Sequence, residues 1–329
     1  ALYNLLIIIL IIHFINIIMY FFHPPHKLKQ WVPREKLNWI GISENINGMR
    51  LLSENQDKIV WNWLSQNPNA IELLENNQEK IVWYFLCANP NPNAIKILEQ
   101  NISRIHWDVL SCNQNAIELL KSHPKHIDWY NLSMNPGAIQ LLEENPSKIN
   151  WEMLSLNPGA IHILEKNNDK IDWCFLAENK SALRLIETKN KTIKWPLDMD
   201  SNHKYIYGFL SKNPNAIHIL ENNIDKIEWF ALSNNENALG LLEQNPSKIH
   251  WSNLSLNPSA IDLLEANQHK IDWFNISSNP AIFEIDYDFL QHRTATYREE
   301  LIATCLHPKR LKYFIDTYNY DIGDDTYFQ

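Results

Sequence analysis

Apolar positions along this chain recur every 22 residues, and the stretch from Ile149 to Lys170 shows what each position does. Trp151 and Leu154 are three apart, so they share one face of a short first helix. Asn157-Pro158 reads as a helix start, with Asn as N-cap and Pro at the first helical position, where its missing N–H costs nothing. Ala160, Ile161, Ile163 and Leu164 form the i, i+1, i+3, i+4 stripe of a second helix. Glu165, Lys166 and Asn167 close it, and Asn tolerates the left-handed conformation that ends many helices. Asn168-Asp169-Lys170 leads into Ile171 and the next Trp. Each unit is therefore predicted to be two short antiparallel helices joined by tight turns.

The same pattern, roughly I-x-W-x-x-L-S-x-N-P-x-A-I-x-L-L-E-x-N-x-x-K, occurs eleven times. Its Trp positions are 39, 61, 83, 107, 129, 151, 173, 229, 251 and 273, with Tyr207 in the remaining slot. A doubled Asn-Pro (Asn89 to Pro92) lengthens one step by two residues, and a twelve-residue insertion around Trp195 to His203 lengthens another. The Asn six residues after each Trp is present in every copy, including Asn113, Asn179 and Asn235, which lack the following Pro. That constancy points to a structural cap for orphan backbone N–H groups. A pair of such short helices cannot bury its stripe alone, so neighbours must stack.

The expected fold is all-α, an α-solenoid of about eleven 22-residue two-helix repeats with terminal caps. At about 8–10 Å per layer it would form a curved rod about 100 Å long. A leucine-rich repeat is the competing architecture, but its L-x-x-L-x-L-x-x-N-x-L spacing is not met, and A-I-x-L-L-E has a helical period. The expected organisation is an apolar leader over 1–26, the solenoid over 27–284 with an insertion at 195–206, and a helical cap with an acidic tail over 285–329. Ile285, Tyr287 and Leu290 are read as a degenerate first helix, followed by helical stretches near 298–306 and 308–318.

Composition narrows function. The 329 residues carry a formal charge of −9, which argues against a nucleic-acid surface. Four Cys cannot make a disulfide framework, and seven isolated Gly make no phosphate loop. Thirteen Trp are largely accounted for by the one repeated slot; Trp31, Trp63 and Trp195 fall outside it. Leu2 to Phe22 is almost wholly apolar and long enough to span a bilayer. Lys27, Lys29, Arg34 and Lys36 follow it, so as an anchor it would leave the array in the cytoplasm. The alternatives are sequence upstream of a start at Met19, or a hydrophobic helix capping the array.

The unit, with I-D-W and N-P-x-A-I-x-L-L-E-x-N-P-x-K-I, resembles the short Trp/Asn-Pro-rich repeats found in many copies in giant DNA viruses of protists. The resemblance runs from about Trp31 to about Phe283. The opening Leu28 to Pro33 and Leu37-Asn38-Trp39 resembles how such arrays begin, and His307 to Tyr318 resembles how they close. It implies proteins of largely unassigned function that serve as interaction modules in a host cytoplasm, with no catalytic, cofactor or metal residues. The stretch from Trp195 to Lys204 and the leader depart from the pattern.

Candidate chemistry is sparse. His123-Pro124-Lys125-His126 is the one close His pair, with no Cys or carboxylate beside it, so it reads as solvated loop histidines. Cys87, Cys112, Cys174 and Cys305 occupy unrelated slots and read as buried or half-buried small residues. His203, Asp198 and Asp200 are all that would recommend an enzyme site at the insertion. Four N-x-S matches, at Asn101, Asn131, Asn253 and Asn275, follow mostly from the repeat itself. A Lys ladder (Lys58, Lys80, Lys148, Lys170, Lys226, Lys248, Lys270) could track a single-stranded nucleic acid. An equally regular Glu ladder lies five residues earlier, so ion pairing and Lys stems laid over Trp rings are the competing use.

Binding information in a repeat array must sit in slots that vary. The slot after Trp varies most and includes Tyr84, Tyr130, Phe230 and Phe274; the next includes Trp63, Phe85, Phe175 and Phe209. Adjacent slots cannot both face the core, so some of these aromatics should be exposed, where they would anchor a protein or peptide partner. Packing between neighbouring first helices is the other fate open to them. The expected surface is Trp63, Tyr84, Tyr130, Phe230 and Phe274, on a scaffold that is not an enzyme. Single-stranded nucleic acid is the alternative ligand, and a membrane could be reached through 2–22.

Overall fold

The computed structural model describes residues 25–190 and 203–292, with a few positions between 303 and 317. The apolar leader, Asp198 and Asp200, Cys305, most of the stretches near 298–306 and 308–318, and the acidic tail lie outside them. Two compact units are present, one of residues 28–283 and one that takes in the two ends of the chain. Among the described residues no helix is long and apolar enough to cross a membrane.

The fold is an all-α solenoid, and its unit is finer than two helices and two turns. In the Trp61 copy the α-helix Trp61–Gln66 is followed by a 3₁₀-helix Pro68–Ala70, the α-helix Ile71–Glu75 and a second 3₁₀-helix Gln78–Lys80. The expected tight turns are thus themselves single 3₁₀ turns. Asn67 separates the first two pieces with an extended backbone (φ −70°, ψ 119°), the conformation a residue before Pro is driven to. Its side chain accepts the N–H of Asn69, the expected N-cap.

The helix-ending Asn departs from expectation. Asn167 has φ −130° and ψ 52°, well away from the left-handed region. Its side-chain Nδ2 donates instead to the Ile163 carbonyl at 2.9 Å, and Asn77, Asn145, Asn223 and Asn245 do the same in their copies. The orphan carbonyl of the last turn is satisfied by the amide group, so the backbone need not turn left-handed.

Helices of four to six residues are unstable alone, so their order comes from stacking. Leu64, Leu86, Leu110, Leu132, Leu154 and Leu176 from first helices are fully buried, as are Leu74, Leu98, Leu120, Leu142 and Leu164 from second helices. The Asn ladder binds one copy to the next. Asn157 Nδ2 donates to Ser133 O at 3.0 Å and to Asn135 O at 2.9 Å, both in the preceding copy. Across the insertion the Asn ladder continues: Asn213 Nδ2 reaches Ala177 O and Asn179 O at 2.9 and 3.1 Å. Tyr207 fills the Trp slot as expected and is buried.

An open rod is not what forms. Asn45, in the first copy, donates to Ser277 O and Asn279 O of the last at 3.1 and 3.0 Å, the ladder bonds that Asn67 makes to Ser43 and Asn45. Asn38 N–H donates to Ser277 Oγ, as Val60 N–H does to Ser43 Oγ. Lys36 lies over the Trp273 ring at 4.9 Å, as Lys58 lies over Trp39 at 4.7 Å. The unit of residues 28–283 is therefore a closed ring of eleven copies, each turning the chain by about 33°. The eleventh copy is split: its Trp helix comes from the C-terminal side, while its closing 3₁₀-helix Arg34–Lys36 comes from the N-terminal side. Lys29 N–H to Ile282 O at 2.9 Å joins the two parts.

First helices pack directly on one another around this ring, more closely than second helices do. With equal numbers of both, the closer-spaced layer has the shorter circumference. First helices form the inner wall and second helices the outer one.

Within the other unit, Lys27 lies 3.9 Å from carboxylate oxygens of both Glu284 and Asp286. Ile285 belongs to a strand, Phe283–Ile285, which pairs with His26–Leu28, and not to a degenerate first helix. Residues 287–292 are helical, starting at Tyr287 with Asp286 capping the Phe289 N–H at 3.1 Å.

Candidate functional site

On a first helix that begins at Trp, the Leu three residues on and the Ser four residues on turn inward to the core. The positions one, two and five residues after Trp then lie on the opposite side, the inner surface of the ring. The residue before each Trp joins them, because Tyr84 meets His106 of the next copy edge-on at 5.4 Å and Phe230 meets His250 at 4.7 Å.

Four of the five expected aromatics stand out from this wall. Tyr84 and Tyr130 are each 49% exposed, Phe230 is 55% and Phe274 56%. Trp63 takes the other fate open to it: half-buried, it packs against Phe85 with ring centroids 5.6 Å apart. Phe175 and Phe209 pair in the same way at 5.8 Å. The slot directly after Trp is therefore the exposed one, and the next slot faces its neighbour along the ring. The polar slot after Ala-Ile (Glu72, Lys96, Glu118, His162, His218, Asp262) faces solvent as expected.

The Ser four residues after Trp is a feature that spacing alone did not single out. Ser155 is fully buried; its Oγ donates to Trp151 O at 2.8 Å and accepts the Asp172 N–H of the next copy at 3.0 Å. The signal was visible as a nearly constant Ser in a slot that an apolar residue could fill. Where Cys87 replaces it, the sulfur accepts the His106 N–H at 3.4 Å. Burial pushes the Cys87 thiol up to about 11 and raises Cys112 and Cys174 too, so all three are held protonated and poorly nucleophilic. Three of the four N-x-S matches place their Ser in this buried slot, at Ser133, Ser255 and Ser277.

Most ladder cations are already engaged. Lys58, Lys80, Lys170 and Lys270 sit over the Trp rings of their own copies at 4.4–4.7 Å. Arg104 takes the same place over Trp83, and His126 stacks on Trp107 at 4.7 Å. Among the described residues no Glu of the Glu ladder forms an ion pair with the Lys ladder; Glu143 instead meets His162 at 3.0 Å. His123 also lies against Trp107, at 5.0 Å, so the close His pair serves one indole. A cleft of about 400 Å³ lies beside the ring closure, between Arg34, Glu35, Trp39, Leu51 and Lys58, and has no His, Cys or Ser in its lining.

No curated protein and no solved structure matches the chain. The family model described as periplasmic copper-binding protein (NosD) matches residues 93–279. That span is more than half of the chain and runs through the repeated lattice, from the second helix of the Trp83 copy to the last ladder Asn. By that match the chain belongs to the NosD family.

Proposed function

We propose that the chain is a non-enzymatic ring scaffold that binds a protein or peptide along its inner wall. The observation that carries this reading is the half-exposure of Tyr84, Tyr130, Phe230 and Phe274 in one slot of the first helix, on a surface no other part of the ring covers. Half-exposed aromatics on a rigid scaffold are the usual anchors of interfaces, since they bury large area at little entropic cost. Copper, which the family description names, does not fit the described residues. Among the described residues no three His, Cys, Asp or Glu converge, burial raises the Cys87, Cys112 and Cys174 thiols, and the close His pair lies against Trp107. Single-stranded nucleic acid is the weaker alternative, because five of the seven ladder Lys lie over the aromatic ring of the repeated slot. The virus-encoded, cytoplasmic setting and a tether through residues 2–22 complete the proposal; they rest on the repeat motif and the apolar leader.

The test is affinity capture with the full chain and with a Tyr84→Ser/Phe230→Ser/Phe274→Ser variant of matched thermal stability. Partners held by the wild type should be lost from the variant. Identical capture by the two would overturn the reading.

A further inference from the structure

The inner wall has a charge as well as an aromatic character. At the positions before, one, two and five residues after each Trp, the described residues include a single Lys or Arg, Lys212, and it pairs with Glu178 at 3.4 Å. Carboxylates are common there. Asp128, Asp172 and Asp272 cap the first helices, each accepting a helix N–H near 3 Å. Asp108, Glu152 and Glu228 cap nothing and form no ion pair among the described residues. Asp108 and Glu152 occupy the same exposed slot as the four aromatics and alternate with two of them over four consecutive copies: Tyr84, Asp108, Tyr130, Glu152. The molecule itself shows how it seats a cation on a ring, with Lys170 Nζ 4.4 Å over Trp151. No such cation lies over Tyr84, Tyr130, Phe230 or Phe274 among the described residues.

Resting on the peptide-binding reading, we propose that the inner wall takes a cationic polypeptide segment rich in Arg or Lys. Its charges lie between the carboxylates and its aliphatic stems and cationic heads lie on the aromatic faces. An alternation of aromatic and acidic side chains suits such a segment on both counts. An acidic segment or a nucleic-acid strand would meet uncompensated carboxylates, which costs affinity and slows encounter. The proposal concerns chemistry alone: a flexible basic stretch of a partner protein, whatever its source.

The test uses the full chain and fluorescent peptides of equal length: an Arg/Leu peptide, a Gln/Leu peptide, a Glu/Leu peptide and a single-stranded RNA. Anisotropy should show the Arg/Leu peptide binding most tightly. An Asp108→Asn/Glu152→Gln/Glu228→Gln variant, which removes no helix cap, should bind it about tenfold more weakly at low ionic strength. That difference should shrink at high salt. Equal affinity for the Arg/Leu and Gln/Leu peptides, with the triple variant unchanged but the aromatic variant impaired, overturns the charge proposal and leaves the peptide reading standing. Preference for the Glu/Leu peptide or the RNA also overturns it. If no peptide responds to either the carboxylate or the aromatic variant, both the proposal and the reading beneath it fall.

Discussion

Two junctions of the ring make the same hydrogen bonds under different conditions. At the Trp129–Trp151 junction, Asn157 bonds to carbonyls 22 and 24 residues earlier, across chain that is continuous and already folded. At the closing junction, Asn45 bonds to carbonyls 232 and 234 residues away. The local chemistry is matched, but the loop-closure entropy is not, and that cost grows with the logarithm of loop length. The closing junction also holds one close backbone approach. Where other copies carry Trp63, Phe85 or Phe175 two residues after Trp, the first carries Gly41, and a Cβ there would stand 2.8 Å from Ser277 Cβ and from Ser278 N. The ring therefore has ten junctions that form as the chain propagates and one that must be docked.

Removing a ladder amide probes this most strongly. Asn157→Ala strips donors from two buried carbonyls and the acceptor from Gly159 N–H, and should cost about 3 kcal/mol or more of global stability, read by denaturant melts. Asn45→Ala removes the matching bonds at the closure, and should raise hydrogen exchange locally around 38–52 and 273–283 before it affects the whole. Equal, global effects from the two would mean that the closure is no weaker than any other junction. Gly41→Leu should come next: it should loosen the closure and increase the hydrodynamic radius, while Gly208→Leu, where open space surrounds the Cα, should change little. An unaltered radius for Gly41→Leu would show that the closure yields without opening.

The smallest effect concerns Glu44, the neighbour of the closing Asn. Burial holds its carboxyl above the ordinary 4.5. The folded state therefore binds its proton more tightly than the unfolded state, and stability falls as pH rises through the window that begins at 4.5. Glu44→Gln should remove that slope and raise the melting temperature slightly at neutral pH, with the two proteins converging in acid. Parallel pH profiles would place the burial cost elsewhere.

Much of this was legible in the residues. Asn157-Pro158 announced a cap and the Ala160 to Leu164 stripe announced a helix, because each depends on contacts within a few residues or one period. The helix-ending Asn167 was misplaced in conformation, since its choice between a left-handed backbone and an amide bond to Ile163 O depends on side-chain reach that composition does not encode. Trp63 and Tyr84 were indistinguishable by pattern, as adjacent slots on a helix that turns 100° per residue; only the packing of neighbours separated them.

By itself the sequence determined the unit, the number of copies and which slots vary, for these are local properties stamped eleven times. Tertiary structure alone decided that the array closes, that the first helices line the inside, and that the eleventh copy is assembled from both sides of the closure. The physical reason is accumulation: a rotation of about 33° per copy is set by small differences in spacing between the two helix layers, and only the sum over all the copies brings Asn45 to Ser277.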